Sequence, residues 1–178
     1  GRRGDKSRGL LAEGPTIFCV GSNASADSIG FGGTGTLETT DTRAALIIAF
    51  NGTTGAPVNV FSDDGIVIYQ LPGGSVATDL VVVDNVAWVC GVSGGTKKSA
   101  RWWIKAWDSV DGQLVGPENV IDDWTVDYSE AMKIIHHNGF LYVAGEYENA
   151  TTDDDVTLGL PGTGGDDIFV WAYDLNVQ

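Results

Sequence analysis

Five aspartates bracket one long polar loop of this sequence, Asp153, Asp154 and Asp155 at one end and Asp166 and Asp167 at the other. Hard cations such as Ca2+ take six to eight oxygen ligands, so this loop is the candidate metal site, and calcium is the one cofactor to consider. The order is not the Asp-x-Asp-x-Asp-Gly of an EF-hand, and a merely solvated acidic loop is the competing reading. Asp63-Asp64 and Asp122-Asp123 recur ahead of later strands, where aspartates cap turns or form weaker sites of the same kind. His136 and His137 are the only histidines. Adjacent residues on a strand face opposite sides of the sheet, so the two cannot readily share a metal. One is expected to replace a packing residue and the other to face solvent or a central channel.

Three Asn-x-Ser/Thr triplets, at Asn23, Asn51 and Asn149, are candidate N-glycosylation sites in expected turns or loops. Arg3-Gly4-Asp5 matches a tripeptide that integrins read, within a basic head where so short a motif arises by accident. No nucleophile elbow, P-loop, zinc-spaced histidine pair or dinucleotide glycine motif occurs. Carboxylates are abundant, and no one pair stands out as a glycosidase pair. The catalytic set is therefore empty, and a non-enzymatic role is the first expectation.

With 24 Asp and Glu against 10 Lys and Arg, the formal charge is -14. Nucleic acid phosphates and anionic membrane surfaces would repel such a chain. Arg2, Arg3, Lys6 and Arg8 crowd residues 1–9, expected as a flexible basic arm. No stretch has the length of a membrane-spanning helix, and the first residues lack the apolar core of a signal peptide. Either an intracellular protein or a mature piece of an exported one fits; the three sequons favour secretion or display at the cell surface.

The elements that must carry these residues are read from a repeat. Ser75-Val-Ala-Thr-Asp-Leu-Val-Val-Val-Asp-Asn-Val-Ala-Trp-Val-Cys-Gly-Val92 returns without a gap as Ser129 to Glu146, with Ser75 matching Ser129, Ala77 matching Ala131, Val89 matching Val143 and Gly91 matching Gly145. A weaker copy runs from Leu10 to Gly21. Asp84-Asn85 and Asn138-Gly139 at the centres favour two-residue hairpin turns. Downstream, Ala49-Phe50-Asn51, Ala106-Trp107-Asp108 and Ala172-Tyr173-Asp174 each close an apolar run, and Gly55 and Val58 follow Asn51 as Gly112 and Val115 follow Asp108. Each unit is thus strand a, tight turn, strand b ending in glycine, variable loop, strand c ending in aromatic-Asp/Asn, turn and strand d. An all-β fold follows, of β-propeller blades built as four-stranded antiparallel meanders. The repeats are expected at 10–70, 71–128 and 129–178, the last stopping before its fourth strand.

Within this frame Gly21, Gly91 and Gly145 are structural, as are Trp103, Trp107, Phe169 and Tyr173. Alternation sets Trp103 and Phe169 on one sheet face and Trp102 and Ile168 on the other. Trp88, Trp102, Trp103, Trp107 and Trp171 read as packing between sheets, with sugar stacking the alternative. Cys19 and Cys90 sit one position apart in the repeat and point to opposite faces, so free thiols are expected rather than a disulfide.

Asn138-Gly-Phe-Leu-Tyr-Val-Ala-Gly145, followed by Leu158-Gly-Leu-Pro-Gly-Thr-Gly-Gly-Asp-Asp-Ile-Phe-Val-Trp-Ala-Tyr-Asp174, resembles the SBBP-type β-propeller repeats of extracellular proteins. The lysine usual in the last strand of that family is replaced by Ala49, Ala106 and Ala172, with Lys105 displaced by one position. The resemblance implies a propeller and no particular activity. Three blades do not close a ring, so further blades from another copy or another polypeptide, or a longer parent chain, are expected. The leading expectation is an extracellular glycoprotein module with a structural, adhesion or assembly role, partnered by other blades or protein subunits. The runner-up binds or acts on carbohydrate through the long loops 22–42 and 147–167.

Overall fold

The computed structural model describes residues 6–23, 43–94, 100–120, 128–148 and 166–176. Among them are eleven strands and no helix, hence no helix long and apolar enough to cross a membrane. The strands form three sheets, each a meander of sequence neighbours. The first sheet contains β1 (Lys6–Glu13), β2 (Thr16–Asn23), β3 (Ala44–Asn51) and β4 (Ile66–Tyr69). The second contains β5 (Ser75–Val83), β6 (Val86–Ser93), β7 (Arg101–Asp108) and β8 (Leu114–Val120). The third contains β9 (Tyr128–His137), β10 (Phe140–Glu148) and β11 (Asp166–Asp174). All described pairings are antiparallel, and the three sheets stack without closing on themselves. Lys6 to Gly9, expected in a flexible arm, belong to β1, where their backbone pairs with β2.

Local chemistry accounts for the meander. Asp84, Asn85, Asn138 and Gly139 all take positive φ, the conformation a two-residue hairpin demands. At the end of each third strand one carboxamide or carboxylate oxygen folds the chain back. Asn51 Oδ1 accepts the N–H groups of Thr53 and Thr54, Asp108 Oδ1 those of Val110 and Asp111, and Asp174 Oδ1 that of Asn176. These are Asx turns, and they explain why the aromatic residue is always followed by Asp or Asn.

A second repeated device is a β-bulge on each first strand, at Arg8, Thr78 and Met132, three equivalent positions. Each bulge swings a carbonyl over the second strand. A Cβ built on Gly21, Gly91 or Gly145 would lie about 2 Å from the oxygen of Lys6, Val76 or Glu130 respectively. Only glycine fits beneath the bulge.

The sheets pack face to face. Phe18, Val20 and Ile47 of the first meet Leu80, Val89, Trp103 and Trp107 of the second. The other side of the second, with Trp88, Cys90, Trp102 and Ile104, meets Ile134, Leu141, Val143 and Phe169 of the third. Tyr69 of the first sheet lies edge-on to Trp103 and Trp107, while Trp102 rests on Phe169. Each buried tryptophan removes roughly 150–250 Å² from water. At about 25 cal/mol per Å², that is on the order of 4–6 kcal/mol before ordering costs. Lys105, the displaced lysine of the repeat, is itself buried and points its ammonium at the Tyr69 ring from 5.8 Å.

Candidate functional site

The first strands lie innermost in the stack, with β5 against both β1 and β9. Their three bulges open a cavity of about 520 Å³ whose lining includes Lys6, Arg8, Thr78, Glu130, Met132 and Lys133. Three of the ten basic residues of this acidic chain converge here.

Beside the cavity stands a carboxylate pair. Glu130 and Glu146 face each other across β9 and β10, an arrangement that like charge disfavours. The Tyr128 hydroxyl sits between them, 2.7 Å from Glu130 Oε2 and 3.1 Å from Glu146 Oε1. A phenol has one proton, so it donates mainly to Glu130 and shares it with Glu146. Burial of Tyr128, then the two carboxylates, raises its pKa. Arg8 adds positive charge from the first sheet, 3.7 Å from Glu130 Oε1. Across the next junction Asp79 accepts the Ile134 N–H at 3.2 Å and lies 3.4 Å from the Lys133 ammonium. The result is a polar, mixed-charge recess suited to hydroxyl-rich or zwitterionic ligands. Among the described residues it contains no nucleophile held by a base.

The sequence reading missed Tyr128, Glu130, Glu146, Arg8, Asp79 and Lys133. The signal that could have found them is departure from the repeat: Glu130 stands where the second copy has Val76, Glu146 where it has Val92, and Lys133 where it has Asp79.

The structure places the other candidates separately. Asp153, Asp154, Asp155 and Asn149 lie outside the described residues, as do the side chain of Asp166, the Arg3-Gly4-Asp5 tripeptide, Asp122-Asp123 and Trp124. Asp167, the second residue of β11, pairs with Tyr147, its Oδ2 shielded from solvent without a hydrogen-bond partner among the described residues. No group of three metal-ligating side chains occurs among the described residues. Asp64 caps a turn by accepting the Ile66 N–H.

Asn23, expected in a loop, ends β2 and is fully buried, because the strand runs two residues past Gly21 to pair with Ala44. Asn51 is half-buried in its Asx turn. Both histidines are exposed, contrary to the expected packing role for one, since they project at the hairpin end of β9. His137 contacts Asn138 at 3.0 Å. Trp88, Trp102, Trp103 and Trp107 are buried between sheets and offer no face for sugar stacking. Tyr173 is half-buried against Trp88. Both cysteines are free thiols on opposite faces, Cys90 buried and Cys19 half-buried.

Compared with known proteins, the chain matches no family model and no curated protein.

Proposed function

We propose that this chain is a β-propeller unit of an extracellular glycoprotein, with a structural, adhesion or assembly role and no catalytic activity of its own. The observation that carries the reading is the repetition of one junction. The first sheet receives the second, and the second the third, through equivalent residues, which supports reading the sheets as successive blades. Asn51, at a turn of the first sheet, is the glycan-bearing candidate among the described residues, whereas burial of Asn23 argues against a glycan there. Expression through a secretory pathway, with peptide mapping of glycan occupancy and a panel of glycosidase substrates, tests it. Export with a glycan on Asn51 or Asn149 and no turnover is expected. Retention in the cell without glycan, or reproducible hydrolysis, overturns it.

A second reading, a carbohydrate-binding propeller, is favoured by the recess around Tyr128, Glu130 and Glu146 rather than by the long loops. A glycan array probed with the chain and with Glu130→Gln tests it; binding lost in the variant supports it, and no binding to any glycan rejects it.

A further inference from the structure

Three repeat positions surround the recess, and the repeat itself leaves their chemistry free. Two residues before each bulge stand Lys6, Val76 and Glu130, whose carbonyls cover the glycine of the neighbouring strand. In the bulge stand Arg8, Thr78 and Met132, and directly after it Gly9, Asp79 and Lys133. The first position accepts a buried valine and the last a glycine, so the fold requires charge at neither. Yet Lys6 and Glu130 occupy the first, and Asp79 and Lys133 the last.

These charges are unevenly exposed. The side chains of Glu130 and Asp79 are only 18% and 15% exposed, whereas their ion-pair partners Arg8 and Lys133 are 37% and 67% exposed. Lys6 is also exposed and has no ion pair among the described residues. Glu146 stands one strand further out, held by the Tyr128 hydroxyl, and does not line the cavity. A solute entering the recess therefore meets cations first, in a chain that is otherwise strongly acidic. The three cations exceed Glu130 and Asp79 by one unit of charge, the complement of a monoanion. A dianion would crowd the two recessed carboxylates.

The remaining lining suits hydroxyl groups. Thr78 donates its hydroxyl proton to the Ala131 carbonyl, which leaves its lone pairs to accept. Glu130 accepts from further donors in the same way, and Met132 offers an apolar surface to C–H bonds. The cavity of about 520 Å³ lies within the roughly 300–1,000 Å³ of small-molecule sites. Its walls are the first strands of all three sheets, so neither end face of the stack is needed to form it.

We propose that the recess binds a uronic acid, free or as a residue of a glycan, its carboxylate taken by the cations of the lining and its hydroxyls by Glu130 and Thr78. The inference rests on the carbohydrate-binding reading and adds charge selection to it. Arg8 remains on Glu130 and keeps that carboxylate from repelling the ligand.

Calorimetric titration with galacturonate and glucuronate, beside galactose and glucose, tests the proposal. The uronates are expected to bind about tenfold more tightly than the neutral sugars, the effect of one charge-assisted hydrogen bond. Lys6→Gln or Lys133→Gln should reduce that advantage with unchanged circular dichroism. Arg43→Gln, which removes an exposed cation outside the lining, should keep it. Amide NMR shifts on adding galacturonate should fall on Lys6 to Gly9 and on Glu130 to Lys133, a readout independent of the variants. An oligogalacturonide separates the sources: binding of the monomer marks a free-sugar site and binding of the oligomer alone a glycan site, and either supports the proposal. Uronates and neutral sugars binding alike overturn the charge selection and leave the carbohydrate-binding reading standing. Sugar phosphates binding more tightly than uronates overturn the preference for a carboxylate. Shifts confined to other strands, or both lysine variants keeping the full advantage, overturn the assignment to this recess. A chain that binds neither acidic nor neutral sugars, by titration and on a glycan array, sinks both the proposal and the reading beneath it.

Discussion

Ser75 and Ser129 make the same junction one repeat apart. The Ser75 N–H donates to the Arg43 carbonyl while its Oγ accepts the Ala45 N–H at 3.2 Å; the Ser129 N–H donates to the Ala100 carbonyl while its Oγ accepts the Trp102 N–H at 3.1 Å. Each serine stands within the first two residues of the first strand of one sheet and clamps the third strand of the sheet before it. A hydroxyl is small enough for this buried corner and accepts one backbone amide of the preceding sheet in each case.

Ser129→Ala therefore removes the hydroxyl that accepts from the buried Trp102 amide. The expected cost is about 1–3 kcal/mol. Ser129→Thr should recover part of it where the added methyl is accommodated. Urea titrations of the variants check this, and an unchanged midpoint in the alanine variant contradicts the clamp.

Gly91→Ala places a methyl 2.1 Å from the Val76 carbonyl and against the Trp103 ring. Neither strand nor indole has room to retreat, so a loss of about 3 kcal/mol or more is expected. Gly14 is the control, since its added Cβ meets nothing within 4 Å and only its positive φ opposes substitution. Gly14→Ala should cost less in the same titration.

Asp108→Ala removes the oxygen that organises the turn after β7 and should lower stability by about 1 kcal/mol. Asp108→Asn should be close to neutral, because Asn51 performs the same task in the first sheet. Equal losses in both variants would mean that charge, rather than turn geometry, matters there.

Burial pushes the Cys90 thiol up to about 12 from its ordinary 9.0, with the Thr78 hydroxyl acting in the opposite direction. A raised pKa means that the folded state holds the proton more tightly. The associated stability is present below the unfolded value and is lost as pH climbs from about 9 toward 12. Tyr128 works in the same sense above its ordinary 10.0. Urea midpoints should fall between about pH 8 and about pH 10.5, and less steeply in Cys90→Ala. At neutral pH a thiol reagent should modify half-buried Cys19 and spare Cys90 until the chain is unfolded. Equal reactivity of the two in the native protein would contradict the burial.

The meander was legible because its signals are local. Asp84-Asn85 and Asn138-Gly139 announce their turns, and Trp102 and Trp103 announce two buried faces by adjacency alone. The recess around Tyr128 was not legible, because it depends on bulges at Arg8, Thr78 and Met132 that bring three separate strands together. A bulge adds one residue without a composition of its own. Strand parity alone put one of the two adjacent histidines in a packing position, whereas both stand exposed at the hairpin end of β9. Asn23 was misplaced because the glycine before it looked like the end of a strand, whereas that glycine is needed under the bulge and pairing continues beyond it.

The second sheet is the only one of the three with apolar partners on both sides within the described chain. During synthesis the first sheet would emerge with Val20 and Ile47 wet, and nothing could dry them until β5 to β7 had left the ribosome. Folding is then vectorial, with each newly made sheet completing the one before it. The second sheet would also be the last to exchange its amide hydrogens, so the slowest-exchanging amides should lie in β6 and β7, well away from the outer sheets where fraying begins.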